Sequence, residues 1–321
     1  MTKTITTATG DISIRPFRVE VPESALADLK QRLAVTRLPE QETVSDFSQG
    51  VPLKTIRQVL EHWRTKHDWR KVEARINAYP NFITEIDGLD IHFIHVRSKH
   101  DNALPMIVTH GWPGSVVEQL KIIGPLTDPT AHGGSASDAF HLVIPSMPGY
   151  GFSGKPTSTG WGPERIAKAW TTLMRRLGYK HFVAQGGDWG AVVTDLMGVD
   201  APPELLGIHT NMPGAIPAHI DQASFGGAPA PAGLSDEEKY TYDELVFFYK
   251  HVYYAFEMAT RPQTLTGLSD SPIGLATFLL DHDSRSLEMI ARSFDGVAEG
   301  ITPDDFLDNV TLFWFTNTGV S

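Results

Sequence analysis

The sequence predicts an α/β fold: a mainly parallel sheet flanked by helices, with its reactive groups at the carboxyl ends of the strands. Three observations carry this. Short apolar runs at residues 106–108, 141–144, 182–184 and 205–208 have the length and composition of buried strands. Three of them end in glycine-rich turns: His110-Gly111-Trp112-Pro113-Gly114, Pro148-Gly149-Tyr150-Gly151-Phe152-Ser153 and Gly186-Gly187-Asp188-Trp189-Gly190. Between the second and third turns, Ile166, Ala167, Trp170, Leu173, Met174 and Leu177 fall at helical spacing, and Gly178 stops that helix.

The stretch around Asp188 organises the rest. Phe182, Val183 and Ala184 form a strand, the glycines form a sharp turn, and Ala191, Val192, Val193, Leu196 and Met197 resume at helical spacing. Asp188 stands at the apex, with Gly186 two residues before it and Gly190 two after. That is the small-x-nucleophile-x-small pattern of a nucleophile elbow, with a carboxylate in the usual place of a serine. Larger side chains at the two flanking positions would collide with strand and helix. An aspartate at such a turn can equally be an ordinary helix cap, so the elbow reading depends on the rest of the chain.

Residues 1–15 are polar and read as a loose terminus. Phe17, Val19 and Val21 alternate, and Pro22 opens a helix whose stripe is Leu26, Leu29 and Leu33. A second amphipathic helix carries Leu53, Ile56, Val59, Leu60 and Trp63, and Trp69, Val72 and Ile76 mark a third. These helices are too few and short to fold alone, and are expected to lie against the domain that follows. From Phe82 the period becomes two, and Asp87-Gly88 predicts a hairpin turn before Leu89, Ile91 and Phe93. After Pro217, residues 222–234 read as an exposed loop. Ser235 and Glu238 form a capping box that opens a helix rich in aromatics, from Tyr240 to Phe256. Ser271-Pro272 and Thr302-Pro303 open two more helices.

Composition narrows the classes. The 321 residues are 41% apolar and 20% charged, with a net charge of −11 that disfavours nucleic acid and anionic membranes as partners. With no cysteine, disulfides, thiolate catalysis and cysteine metal sites are excluded. No apolar run approaches the roughly 20 residues that span a bilayer, and the start has no hydrophobic signal core. A cytoplasmic protein without a membrane anchor is expected; a homo-oligomer is compatible with the sequence. There is no HExxH, phosphate loop or dinucleotide fingerprint, so neither metal nor organic cofactor is expected.

A carboxylate at an elbow attacks saturated carbon, and displacement at an epoxide or alkyl halide carbon leaves an alkyl-enzyme ester. Water must then attack that ester carbonyl, which calls for an oxyanion hole. The backbone N–H of Trp189, next after the nucleophile, is one donor, and that of Trp112 in the HGWPG loop is the other. His110 and Pro113 of the same loop are candidate pocket residues.

The motifs HGWPGS, PGYGFSGKP and QGGDWG, in this order at these strand ends, resemble those of epoxide hydrolases of the α/β-hydrolase fold. The segment FRVEVPESALADLKQRLAVTRLP is similar to the N-terminal domain of the microsomal and juvenile-hormone branch, which wraps the catalytic domain. The resemblance covers the chain from about Arg15. It implies an N-terminal segment at 1–81, a hydrolase core at 82–216 and a helical lid at 217–321. It implies that Asp188 is the nucleophile and that Tyr254 donates a hydrogen bond to the epoxide oxygen, a role suited to a phenol that is neutral near pH 7. Tyr253, one residue earlier, is the alternative donor. Substrates would be a small apolar epoxide and water, and the setting detoxification or aromatic hydrocarbon catabolism.

The family pattern also includes a second lid tyrosine, the last sheet strands, an acidic residue and a water-activating histidine. None of these has an evident counterpart here. The last sheet strands are expected to be missing, and this chain is expected to manage at best the alkylation half-reaction. Of the histidines after Asp188, His209 comes too early for the usual order, His219 is at the lid entry, His251 is in the aromatic helix, and His282 reads as a helix end. A haloalkane dehalogenase shares the Asp-Trp pair at the elbow, but halide chemistry needs neither the N-terminal segment nor the lid tyrosine. A third reading is an inactive binding protein with an apolar pocket under an aromatic lid. Halide release against diol formation separates the first two, and ligand binding without labelling of Asp188 identifies the third.

Overall fold

The computed structural model describes residues 12–297 and 299–320. Most of the polar start, residues 1–11, lies outside the described residues. The described residues group into two compact units, one within 12–20 and 69–213, the other within 21–68 and 214–320.

The first unit is built on a seven-stranded sheet in the order β1-β2-β3-β5-β4-β6-β7. Strands β1 (Arg15–Phe17), β2 (Asn81–Ile86) and β3 (Leu89–Val96) are antiparallel to one another, and β3 runs antiparallel to β5 (Phe140–Pro145). Strands β5, β4 (Leu104–Thr109), β6 (Phe182–Gly186) and β7 (Leu205–Thr210) are parallel. The sheet is therefore mixed, and the parallel half carries the elbow. The β2–β3 hairpin turns at Asp87 and Gly88, both with positive φ (53° and 80°), which an Asp-Gly pair accommodates.

Helix α3 (Trp69–Asn77) belongs to this unit and lies against α4 (Val116–Thr127), a helix that the reading of the sequence did not single out. Its signal is there: Ser115 and Glu118 close a capping box at its start. Helices α5 (Pro163–Arg176) and α6 (Trp189–Asp200) pack on one sheet face, where Trp170, Leu173, Met174, Val193 and Met197 close over Ile107, Val143, Phe182 and Ala184. The amphipathic period of α5 thus does what it predicts: its apolar stripe is buried and Gly178, at φ 84°, follows its end.

The second unit combines residues 21–68 with residues 214–320. It contains α1 (Glu23–Ala34), α2 (Leu53–Thr65), α7 (Ala218–Phe225), α8 (Asp236–His251), α9 (Tyr253–Thr260), α10 (Pro272–Leu280), α11 (Ser284–Phe294) and α12 (Pro303–Thr316). Residues 21–68 group with the C-terminal helices. The reason is in α10, whose sequence PIGLATFLL buries Ile273, Leu275, Ala276, Leu279 and Leu280 and so needs apolar cover on several sides. The stripes of α1 and α2 supply part of it. Arg32–Asp270, Lys54–Asp295 and the buried His67–Asp308 pair, at 2.8–2.9 Å, tie the same segments together.

Three local expectations in this unit also change. The stretch read as a loop at 222–234 begins inside α7. The aromatic helix breaks at Val252 (φ −91°, ψ 67°), so Tyr253 and Tyr254 open α9. A further helix, α11, is capped by Asp283, whose carboxylate accepts from the Arg285 and Ser286 N–H groups. The Ser235, Ser271 and Thr302 caps stand where the sequence puts them. Among the described residues, no helix is long and apolar enough to cross a membrane.

Candidate active site

Strand β6 delivers the chain into a turn at Gly186 and Gly187, and α6 leaves it at Trp189. Asp188 between them has φ 52° and ψ −128°, a conformation that is strained for a residue with a β-carbon. Its neighbours are glycines because nothing larger fits. A β-carbon on Gly186 would strike the Gly190 carbonyl, and one on Gly190 would strike the carbonyl oxygens of Thr109 and His110. The elbow and the end of β4 are thus pressed together backbone to backbone.

Asp188 occupies the N-cap position of α6, yet its side chain makes no capping bond. Its Oδ1 instead accepts a hydrogen bond from the Trp112 backbone N–H at 2.7 Å. The cap reading, open on the sequence alone, is therefore set aside: the carboxylate is turned away from its own helix toward the loop after β4. A β-carbon on Gly111 would fall onto that carboxylate, so Gly111 is the gap through which it reaches Trp112.

The loop HGWPG brings three of the expected residues together. His110 and Trp112 are buried, at 1% and 3% exposure, and Pro113, joined to Trp112 by a cis peptide, is half-buried. His110 Nδ1 lies 2.9 Å from the Gly111 carbonyl oxygen, and its Nε2 accepts from the Met147 N–H at 3.1 Å. Burial pushes the His110 imidazole down to about 4, so the ring is neutral at neutral pH. Trp189 is the first residue of α6, where a backbone N–H has no intrahelical acceptor, and its side chain is 47% exposed.

Asp188, His110, Gly111, Trp112 and Pro113 are among the residues that line a cleft of about 980 Å³. Its other walls are mostly apolar, with Met106, Val108, Ile122, Leu126, Phe140, Val183 and Ile208. His209 and Asn211, at and just beyond the end of β7, also line it. Asn211 went unremarked in the sequence, although its position one residue past a parallel strand is where site residues gather.

Tyr253 and Tyr254 belong to the second unit. Tyr253 is exposed at 59%, and Tyr254 is half-buried with its ring 4.8 Å from the His282 ring. His282 Nδ1 lies 2.9 Å from Asp283 Oδ2. His251 stacks on Phe247 at 4.0 Å. His219 is in α7. Among the described residues, no group of three or more His, Asp or Glu side chains is arranged to hold a metal.

Residues 14–119 match the family model for the epoxide hydrolase N terminus, and residues 105–247 match that for the alpha/beta hydrolase fold. Juvenile hormone epoxide hydrolase 2 of Ctenocephalides felis is 38% identical over 96% of this chain, which spans 68% of it. Epoxide hydrolase 1 of Oryctolagus cuniculus is 36% identical over 97% of this chain, which spans 71% of it. The chain belongs to the epoxide hydrolase family. The fold agrees. The crystal structure of the juvenile hormone epoxide hydrolase of Bombyx mori superposes with a TM-score of 0.81 at 30% identity, covering 97% of this chain and 75% of that one. For an epoxide hydrolase, the arrangement has a plain chemical sense: a carboxylate on a strained turn, one oxygen held by a backbone N–H, facing an apolar cleft.

Proposed function

We propose that this epoxide hydrolase opens its substrate by attack of Asp188, through the carboxylate oxygen that Trp112 does not hold. A bond forms between that oxygen and an epoxide carbon, the carbon–oxygen bond of the ring breaks, and the ring oxygen leaves as an alkoxide that takes a proton from a phenol. The ester then carries Asp188 Oδ1 as its carbonyl oxygen, already 2.7 Å from the Trp112 N–H. Water adds to the ester carbonyl carbon, losing one proton that restores the phenol, and the charge on Oδ1 is met by the Trp112 and Trp189 N–H groups; collapse breaks the ester carbon–oxygen bond, the second water proton passes to the departing alkoxide, and a vicinal diol and the carboxylate result. Tyr254 takes the role of the phenol on the strength of the sequence resemblance. The apolar lining of the cleft supports a small apolar epoxide as substrate. The cysteine-free composition supports a setting in the cytoplasm, and the family resemblance supports a part in detoxification or aromatic hydrocarbon catabolism.

The observation that carries this reading is the carboxylate of Asp188 bonded to Trp112 rather than to its own helix. The test is an intact-mass spectrum before and after incubation with an aryl epoxide, with peptide mapping and diol analysis. Diol, or an adduct of the epoxide's mass on Asp188, is expected, and Asp188→Ala should give neither. No diol and no adduct from the unmodified protein would sink the proposal.

A further inference from the structure

We infer that His110 is a positioning residue: its Nδ1–H fixes the Gly111–Trp112 peptide plane, so that the N–H at the other end of that plane stays aimed at Asp188. The two hydrogen bonds share one peptide. The Gly111 carbonyl oxygen, 2.9 Å from His110 Nδ1, and the Trp112 N–H, 2.7 Å from Asp188 Oδ1, are its two ends and point in opposite directions. A peptide is planar, so holding the carbonyl at one end sets where the N–H points at the other.

The tautomer needed for this is imposed from the other side of the ring. The Met147 N–H can only donate, so His110 Nε2 must accept and the ring proton must sit on Nδ1. Met147 is itself held. Its neighbour Ser146 donates its N–H to the His92 carbonyl (2.9 Å), pairs through Oγ with His92 Nδ1 (2.9 Å), and accepts at its carbonyl from Ser153 Oγ (2.7 Å). His92 Nε2 ends the chain on Asn81 Oδ1 at 2.9 Å. His110, His92, Ser146 and Ser153 are all buried, so water cannot substitute for these partners. Burial also keeps His110 neutral at neutral pH, leaving one donor and one acceptor on the ring. His110 lines the cleft, but both of its nitrogens are already committed to backbone groups. Its task is to aim the donor that meets the substrate-bearing carboxylate.

The inference rests on the proposed role of Asp188 for its catalytic consequence and on the geometry alone for its structural one. A pair of variants separates positioning from mere packing. Asn places an amide N–H near the position of Nδ1 and keeps the bond to Gly111; Gln places its carbonyl near Nε2 and keeps the bond to Met147. Each loses one buried hydrogen bond, so a purely structural role predicts that His110→Asn and His110→Gln fall together.

Positioning predicts that they part. At saturating aryl epoxide, H110Q should form the Asp188 adduct or diol about tenfold more slowly than H110N, with little change in the half-saturating concentration. Hydrogen exchange at the Trp112 amide, read by NMR on the same proteins without epoxide, should be about tenfold faster in H110Q than in H110N, since the N–H that drifts from Asp188 loses its protection. Equal exchange in the two variants, or faster exchange in H110N, would overturn the inference whatever the chemistry does. If the unmodified protein is never labelled while exchange divides the variants as expected, the reading of Asp188 fails and the clamp stands.

Discussion

The Asp188 carboxylate and the Trp112 backbone N–H, 76 residues apart in the chain, meet at 2.7 Å. Asp188 has forgone the ordinary use of an aspartate at that place, capping its own helix, for a bond across two strand-end loops. The strained backbone at φ 52° is what turns it that way. Strain held at one residue by close packing of its neighbours is a familiar mark of a reactive position, and here each neighbour that permits it can be named.

Two of those neighbours predict different outcomes on the same substitution. At Gly111 an added methyl meets the whole Asp188 side chain, its β-carbon as well as its carboxylate, so relieving the clash displaces the nucleophile itself. At Gly190 it meets the backbone carbonyls of Thr109 and His110, which cannot move without shifting β4 against β6. Gly111→Ala should therefore cut adduct formation by about 10²-fold, the order lost when a reacting group is misplaced. Gly190→Ala should cost about 1–3 kcal/mol of stability as an overpacked core site does. If Gly111→Ala labels Asp188 at the original rate, the gap at Gly111 does not matter to the nucleophile.

The two adjacent tyrosines, Tyr253 and Tyr254, can be told apart by deleting one hydroxyl at a time. Tyr254 is half-buried, with its ring 4.8 Å from that of His282, whereas Tyr253 is exposed at 59%. A general acid contributes about 10²-fold or more to a rate. Tyr254→Phe should slow ring opening by about that factor, and Tyr253→Phe should change it little. The reverse order, read from adduct or diol formation at saturating epoxide, would move the assignment to Tyr253.

The site was legible in the sequence to the extent that local spacing defines it. Gly186, Asp188 and Gly190 stand two residues apart, and the glycines are forced by contacts a few residues or one strand away. The roles in the HGWPG loop were only half legible. Trp112 could be placed as a donor from its position after a strand, but His110 looked like a pocket residue. The partner that fixes its tautomer, the Met147 N–H, comes from a different strand end and a different stretch of sequence. The grouping of helices was not legible at all. The stripes of α1 and α2 announce that they are buried, but not against what, and the need for cover on α10 arises about 200 residues later. Helix breaks such as that at Val252 were missed because an aromatic-rich run reads the same whether it holds one helix or two.

Protonation gives the third prediction. Burial pushes His92 down to about 3 and His110 to about 4, and burial with the nearby Arg97 and His141 pushes His95 to about 4. All three are neutral in the folded protein across conditions where an unfolded chain binds protons near pH 6.5. Between about pH 6.5 and 4 the unfolded state holds the extra protons, so stability is complete above that window and is lost as pH falls through it. For the two fully buried rings each unit of depression is worth about 1.4 kcal/mol, so the total is on the order of several kcal/mol. The urea midpoint should fall steadily from pH 7 to about pH 5.5, above the range in which most carboxylates titrate. A flat midpoint over that interval would mean that these rings are not held neutral by burial.

The last prediction concerns the end of the sheet. Strand β7 stands last in the strand order, and two residues on one of its faces, Leu206 and Ile208, are 58% and 41% exposed. Val199 on α6 adds a third exposed apolar side chain, at 72%. Parallel strands are ordinarily buried on both faces, and an apolar edge with unpaired backbone groups is a template for pairing with another chain. Natural edges are protected by lysine, so Leu206→Lys should raise the protein concentration at which light scattering begins. It should change the free energy of unfolding by no more than about 0.5 kcal/mol, as expected for an exposed position. If scattering is unchanged, the exposed edge does not drive association. If instead stability drops by several times that amount, Leu206 is buried in solution by something that the lysine displaces.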